Sequence, residues 1–123
     1  MTLLAKRQER SIVPRMYYIT TAIDYTNGPP HIGHAYEKVL ADVLARWHRM
    51  KGEEVYFLTG VDQHGQKVQQ TAEKLGITPQ EHVNNITEQF LALWNRLGIS
   101  NDGWASTTDP RHKACVQKIL TDL

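Results

Sequence analysis

Tyr25-Thr26-Asn27-Gly28-Pro29-Pro30-His31-Ile32-Gly33-His34 joins two segments of different period, and that junction decides the fold. Before it, Tyr17-Tyr18-Ile19-Thr20-Thr21-Ala22-Ile23 is aromatic and β-branched and reads as a strand. Asn27-Gly28-Pro29-Pro30 then breaks regular structure. From about Gly33 to Lys51 the period is that of a helix. Tyr36, Val39, Leu40, Val43, Leu44, Trp47 and Met50 share one face. Glu37, Asp42, Arg46 and Arg49 fall mostly on the other, with Asp42 and Arg46 as an i,i+4 pair. Gly52 stops this helix. Val55-Tyr56-Phe57-Leu58 is nearly all apolar, as a buried parallel strand should be. Strand, helix and strand form a βαβ unit with an expected right-handed crossover.

Thr59-Gly60-Val61-Asp62-Gln63-His64-Gly65 is a second loop after a strand, and a helix from about Gln66 to Leu75 follows it, ended by Gly76. Thr78-Pro79-Gln80-Glu81 reads as a capping box with proline at the first helical position. The helix it opens turns Val83, Ile86, Phe90, Leu93, Trp94 and Leu97 inward, and Gly98 ends it. Asp109-Pro110 opens a last helix with Cys115, Ile119 and Leu120 on its apolar side. That helix reaches Leu123 without a stop signal, which suggests a chain that is cut rather than finished.

The 123 residues amount to one domain or part of a larger one. A hydrophobic share of 41% supports a globular core. The charge of +1, from 14 basic and 13 acidic residues, neither demands nor excludes a nucleic-acid surface. Cys115 is the one cysteine, so no internal disulfide or cysteine-rich zinc site is expected, and a reduced, intracellular setting is the simple reading, with cytoplasmic localisation expected. No apolar stretch is long enough to span a membrane. Residues 1–15 carry Lys6, Arg7, Arg10 and Arg15 against Glu9, with no apolar period. They read as a flexible extension, with an organelle-targeting segment as the alternative. Met16 is a candidate internal start.

A helix opening near Gly33 turns its free N–H groups and positive dipole end toward the first loop, which favours an anion. His31 and His34 can donate to phosphate oxygens, more strongly if protonated. Gly33 lets a flat base or ribose approach the backbone. The second loop would lie beside the first at the carboxyl edge of the sheet, where such folds bind ligands. There Asp62 could hold an ammonium group or a ribose hydroxyl. Other readings stay open. His31 and His34 could ligate a metal with His64 as third ligand, Asp62 could cap the next helix, and Tyr25 could simply fill core. His48, His82 and His112 read as solvated. Trp47, Trp94 and Trp104 read as packing.

His31-Ile32-Gly33-His34 resembles the HIGH signature of class I aminoacyl-tRNA synthetases. Tyr18 to Ile23, Asn27 to Tyr36, Ala41 to Arg46, Phe57 to Lys67 and Thr107 to His112 resemble methionyl-tRNA synthetases specifically, in the right order. The resemblance covers about Met16 to Leu123. It implies an α/β fold: a partial Rossmann-like (HUP-type) parallel sheet with flanking helices, truncated before the connective insertion. By that resemblance His31, Gly33 and His34 bind ATP, and the two histidines are the catalytic pair. Ala22, Ile23, Tyr25 and Asp62 bind methionine, with Asp62 on its amino group. The pattern departs at Asp24, where many members have tyrosine or proline.

The implied reaction makes methionyl-adenylate from methionine and ATP, usually with Mg2+, and then transfers methionine to tRNA(Met). No protein metal ligand is implied in this segment. Any zinc would belong to the connective insertion, which is missing. A lysine-rich KMSKS-type loop is missing too: Lys6, Lys38, Lys51, Lys67, Lys74, Lys113 and Lys118 do not form one. The piece alone is therefore expected to be inactive. A small H-x-G-H nucleotidyltransferase and a catalytically silent nucleotide-binding module are the alternatives.

Overall fold

The computed structural model describes residues 16–123. The reading of 1–15 as a flexible extension lies outside the described residues. In chain order the elements are β1 (Tyr17–Thr20), β2 (Asp24–Tyr25), α1 (Ile32–Met50), β3 (Val55–Asp62), α2 (Gln66–Leu75), α3 (Pro79–Leu97), β4 (Gly103–Ser106) and α4 (Pro110–Asp122). Every strand pairing is parallel, and β3 is central. Leu58 pairs with Thr20 on one edge and Gly103 on the other, and Val61 with Asp24 and Ser106. So β1 and β2 are two parts of one line beside β3, and β4 lies on the opposite side.

The expected single strand from Tyr17 to Ile23 is interrupted. From Thr20 to Asp24 the chain takes four steps while β3 takes three, from Leu58 to Val61. One extra residue is therefore accommodated in Thr21-Ala22-Ile23, as in a β-bulge. Such an insertion takes backbone groups out of the ladder and re-aims side chains. Ala22 and Ile23 are exposed as a result.

Phe57 and Val61, both fully buried, lie on one face of β3 and receive the helices. Ala41 and Ala45 of α1 pack on Phe57, with Ile19 and Val55 beside them. Ile86, Phe90 and Trp94 of α3 pack on Val61. Fully burying a residue such as Phe57 or Phe90 contributes about 1.5–3 kcal/mol. The other face of the sheet carries Tyr18 and Tyr56, stacked 5.9 Å apart and exposed. Val55 to Leu58 is thus buried on one side only, and Phe57 alone of the four is fully covered.

Three expectations for the helices change. Amphipathic helices usually turn their apolar stripe to the core, but Tyr36, Val39, Leu40, Val43, Leu44, Trp47 and Met50 of α1 are all exposed. The buried side of α1 is Lys38, Ala41, Asp42 and Ala45. Two alanines let the helix axis approach the sheet closely, and each polar residue there has its own partners. In α3, Val83, Ile86, Phe90 and Trp94 are buried as expected, whereas Leu97 is exposed. In α4 no residue is buried, so Cys115, Ile119 and Leu120 point to solvent.

Candidate active site

All strands run the same way, so Tyr25, Asp62 and Ser106 end at one edge of the sheet. His31 is the N-cap of α1 and has extended backbone geometry. Its Nδ1 accepts from the Gly33 N–H at 3.1 Å, and the His31 N–H donates to His34 Nδ1 at 3.1 Å. This is a reciprocal capping box built from two histidines. The rings stack with centroids 3.7 Å apart. His34 also meets the Phe90 ring edge-on at 5.0 Å.

The caps fix the protonation pattern. A ring nitrogen that accepts from a backbone N–H carries no proton, so both Nδ1 atoms are bare and each neutral ring carries its proton on Nε2. Partial burial lowers the His34 pKa, with His31 and Lys38 adding to the effect and Asp24 opposing it. The neutral form of His34, with its Nε2–H as donor, is therefore favoured over the protonated ring that would bind anions most strongly. Gly33 has a local reason as well. A Cβ there would press on the His31 ring at 3.0–3.1 Å and push the cap out of place.

The first and second loops meet as expected. Tyr25 pairs with Asp62, and the Thr26 N–H and hydroxyl both donate to the Asp62 carbonyl at 3.0 Å. The Tyr25 ring lies over Gly65, whose φ of 145° suits glycine and whose missing Cβ makes room for the hydroxyl. Tyr25 is only partly buried, so it is not simply core filling. Asp62 does not cap α2, whose N-cap is Gly65 with no side-chain bond. Its Oδ1 instead accepts from the His64 N–H at 3.3 Å and the Thr107 hydroxyl at 3.4 Å.

A third loop, Thr107-Thr108, also lies at this edge; the sequence marked it as a family-like block but not as part of the site. Gln63 is buried and joins all the layers there. Its N–H donates to Thr107 Oγ1 at 2.8 Å and its Nε2 to Thr87 of α3 at 3.0 Å, while its Oε1 accepts from Ser106 and Thr108. Small hydroxyl residues carry no periodic signal, and only their position after β4 reveals them. The hollows near β4, about 330 Å³ beside Arg111 and about 220 Å³ beside His64 and Lys113, are lined by none of His31, Gly33, His34, Ala22, Ile23, Tyr25 or Asp62. They belong to the α4 junction.

The other histidines have different settings. His82 is buried, not solvated, and His48 stacks on Tyr17 at 3.4 Å and bonds Glu53. His112 is exposed as expected. Trp94 is core, Trp104 partly buried, and Trp47 half-exposed under Lys51 at 4.4 Å. Among the described residues no three His, Cys, Asp or Glu side chains converge to hold a metal ion. The reading of His31, His34 and His64 as ligands therefore has no geometric support. No helix among the described residues is long and apolar enough to cross a membrane.

A parallel sheet whose carboxyl edge meets a histidine-capped helix is the arrangement expected of a class I synthetase catalytic domain. The family model described as tRNA synthetases class I (M) matches residues 17–123, and the chain belongs to that family. Its relatives include methionine–tRNA ligases. The methionine–tRNA ligase of Deinococcus radiodurans is 51% identical over 107 residues, covering 86% of this chain and 16% of that protein. The methionine–tRNA ligase of Streptomyces coelicolor is 49% identical over 110 residues, covering 89% of this chain and 20% of that protein. Mycobacterium tuberculosis methionyl-tRNA synthetase in complex with methionyl-adenylate superposes with a TM-score of 0.78 at 42% identity. That match covers 80% of this chain and 19% of that one. The chain thus spans about a fifth or less of the relatives it matches.

Proposed function

We propose that this chain forms the first part of a methionine–tRNA ligase, which activates methionine with ATP and charges tRNA(Met) in the cytoplasm. The observation that carries the reading is the reciprocal His31–His34 cap at the start of α1, which leaves two Nε2–H donors at the sheet edge. ATP would lie with its phosphates against these donors and the positive end of α1. The methionine carboxylate oxygen attacks the α-phosphorus, the bond to the bridging oxygen breaks, and pyrophosphate leaves. His31 and His34 donate to the phosphate oxygens as negative charge builds, and need not exchange protons to do so. The tRNA ribose hydroxyl then attacks the methionyl carbonyl and AMP leaves.

Ala22, Ile23 and Tyr25 would line the methionine side, with Asp62 on the amino group. Asp62 is held by the His64 N–H and Thr107, so its carboxylate is oriented in advance. Mg2+ would arrive with the ATP phosphates. By the resemblance, any zinc would belong to the connective insertion.

The test joins the chain in frame to the part of the Deinococcus radiodurans ligase that follows the matched segment. ATP–pyrophosphate exchange is expected to depend on methionine in that fusion, with little or none from the chain alone. A fusion that folds but exchanges with another amino acid, or with none, overturns the reading. Robust exchange by the chain alone would show that no later lysine loop is needed, and would favour the small nucleotidyltransferase.

A further inference from the structure

Two side chains of α1 hold a backbone position that the sheet has released. The extra residue in Thr21-Ala22-Ile23 removes Ala22 from the ladder with β3. Its N–H donates instead to Glu37 Oε1 at 3.0 Å. Its carbonyl accepts from Lys38 Nζ at 3.0 Å and from the neighbouring Thr21 hydroxyl at 2.9 Å. The Lys38 ammonium is fully buried, and its other two bonds go to Asp24 Oδ1 at 2.9 Å and Glu37 Oε2 at 3.0 Å. Three donors thus meet three acceptors, so the ammonium is saturated. Asp24, nearly fully buried, and Glu37 supply the opposite charges that let Lys38 sit there.

We propose that Glu37 and Lys38 are positioning residues for the amino-acid side of the site. Their hold on Ala22 fixes the released segment, and Asp24 keeps Lys38 in place. The proposal rests on the functional reading above, in which Ala22, Ile23 and Tyr25 face methionine. The consequence is specific, because Glu37 and Lys38 lie on the helix that carries His31 and His34. One rigid element therefore sets both the phosphate donors and the strand line opposite. It also gives Asp24, at a position where tyrosine or proline is commoner, a buried partner in Lys38.

The test uses the fusion described above and separates methionine from ATP. Glu37→Ala removes the acceptor for the Ala22 N–H from a partly exposed side chain, so folding should survive. The methionine KM is expected to rise about tenfold while the ATP KM changes less than about twofold, since small misplacements act on the group they misplace. Glu37→Gln keeps an acceptor for that N–H but turns its amide NH2 toward Lys38, and should recover only part of the loss. Asp24→Leu with Lys38→Met removes both buried charges together and should also raise the methionine KM selectively. An unchanged methionine KM in folded Glu37→Ala, or both KM values rising together, overturns the proposal. Absence of methionine-dependent exchange before any substitution overturns instead the functional reading beneath it.

Discussion

Asp42 reaches from the middle of α1 to Ser100, just beyond α3, and takes two hydrogen bonds there. Its Oδ1 accepts from the Ser100 N–H at 2.7 Å and hydroxyl at 2.5 Å, while Oδ2 accepts from Arg46 at 2.6 Å. Arg46 in turn donates to the Gly98 carbonyl at the end of α3. Burial raises the Asp42 pKa, but Ser100 and Arg46 outweigh it and hold the carboxyl below its ordinary value. Asp42→Ala should cost about 2–4 kcal/mol, since hydrogen bonds to a charge are lost and the Ser100 N–H is left without a partner. A urea titration should show a lower midpoint at unchanged slope. Because the folded pKa is depressed, this contribution is full above 3.8 and fades as pH falls through the folded value.

The proposed phosphate role of His31 can be separated from its cap, since Nδ1 caps α1 and the proposal uses the other ring nitrogen. His31→Asn keeps an N-cap acceptor but has no second donor in that place. Its stability should stay within about 0.5 kcal/mol of the parent, while His31→Ala loses about 1 kcal/mol. Pyrophosphate exchange in the fusion should fall about 100-fold in both. Parallel loss of stability and exchange across the two variants would show that His31 acts only as a cap.

Folding favours the neutral His34 ring, because burial lowers its pKa from 6.5. The unfolded chain then binds the proton more readily than the folded one between the folded pKa and 6.5. Stability should therefore decline as pH drops below 6.5, and protonation would also break the bond from the His31 N–H. Thermal melts at about pH 7.5 and about pH 5.5 should show this decline, and His34→Gln should flatten it. An unchanged slope in His34→Gln would assign the decline to other groups.

The strand–loop–helix junction was legible because each part has a local cause. The turn is written in Asn27-Gly28-Pro29-Pro30, and the caps of α3 and α4 in Thr78-Pro79 and Asp109-Pro110. The bulge at Thr21-Ala22-Ile23 was not legible, since those residues suit a strand and only their partners on α1 hold them out of it. Nor was the orientation of α1. A hydrophobic stripe shows that a helix is amphipathic, not which stripe a given neighbour covers. Here the inner stripe mixes Ala41 and Ala45 with Lys38 and Asp42, whose partners lie 14 and 58 residues away along the chain. Gln63 and the hydroxyls of Ser106, Thr107 and Thr108 are the same case, because they depend on contacts across strands.

Gly60 sets the approach of β3 to β4. A Cβ there would fall inside the Ala105 backbone, against its carbonyl oxygen. Backbone cannot step aside as a side chain does, so the two strands must part. Gly60→Ala should cost about 3 kcal/mol, the upper end of ordinary overpacking. Amide exchange should speed up across Gly103–Ser106 before it does so in α1. Uniform acceleration in both would point to global destabilisation instead.

The exposed stripe on α1 gives the isolated chain a property of its own. Val39, Leu40, Val43, Leu44 and Trp47 stand in adjacent turns, each 39% to 56% exposed, and Tyr36 and Met50 extend the stripe at 70% and 79%. A contiguous apolar surface of this kind drives association in water. The chain alone should therefore self-associate with rising concentration, seen as a growing sedimentation coefficient. Leu40→Glu with Val43→Lys should suppress that association and change stability by less than about 0.5 kcal/mol, because neither side chain is in the core. In the fusion the same pair should instead lower the yield of folded protein if later segments cover this stripe. A chain that stays monomeric, with the double substitution changing nothing in either setting, would mean that the stripe tolerates water as it stands.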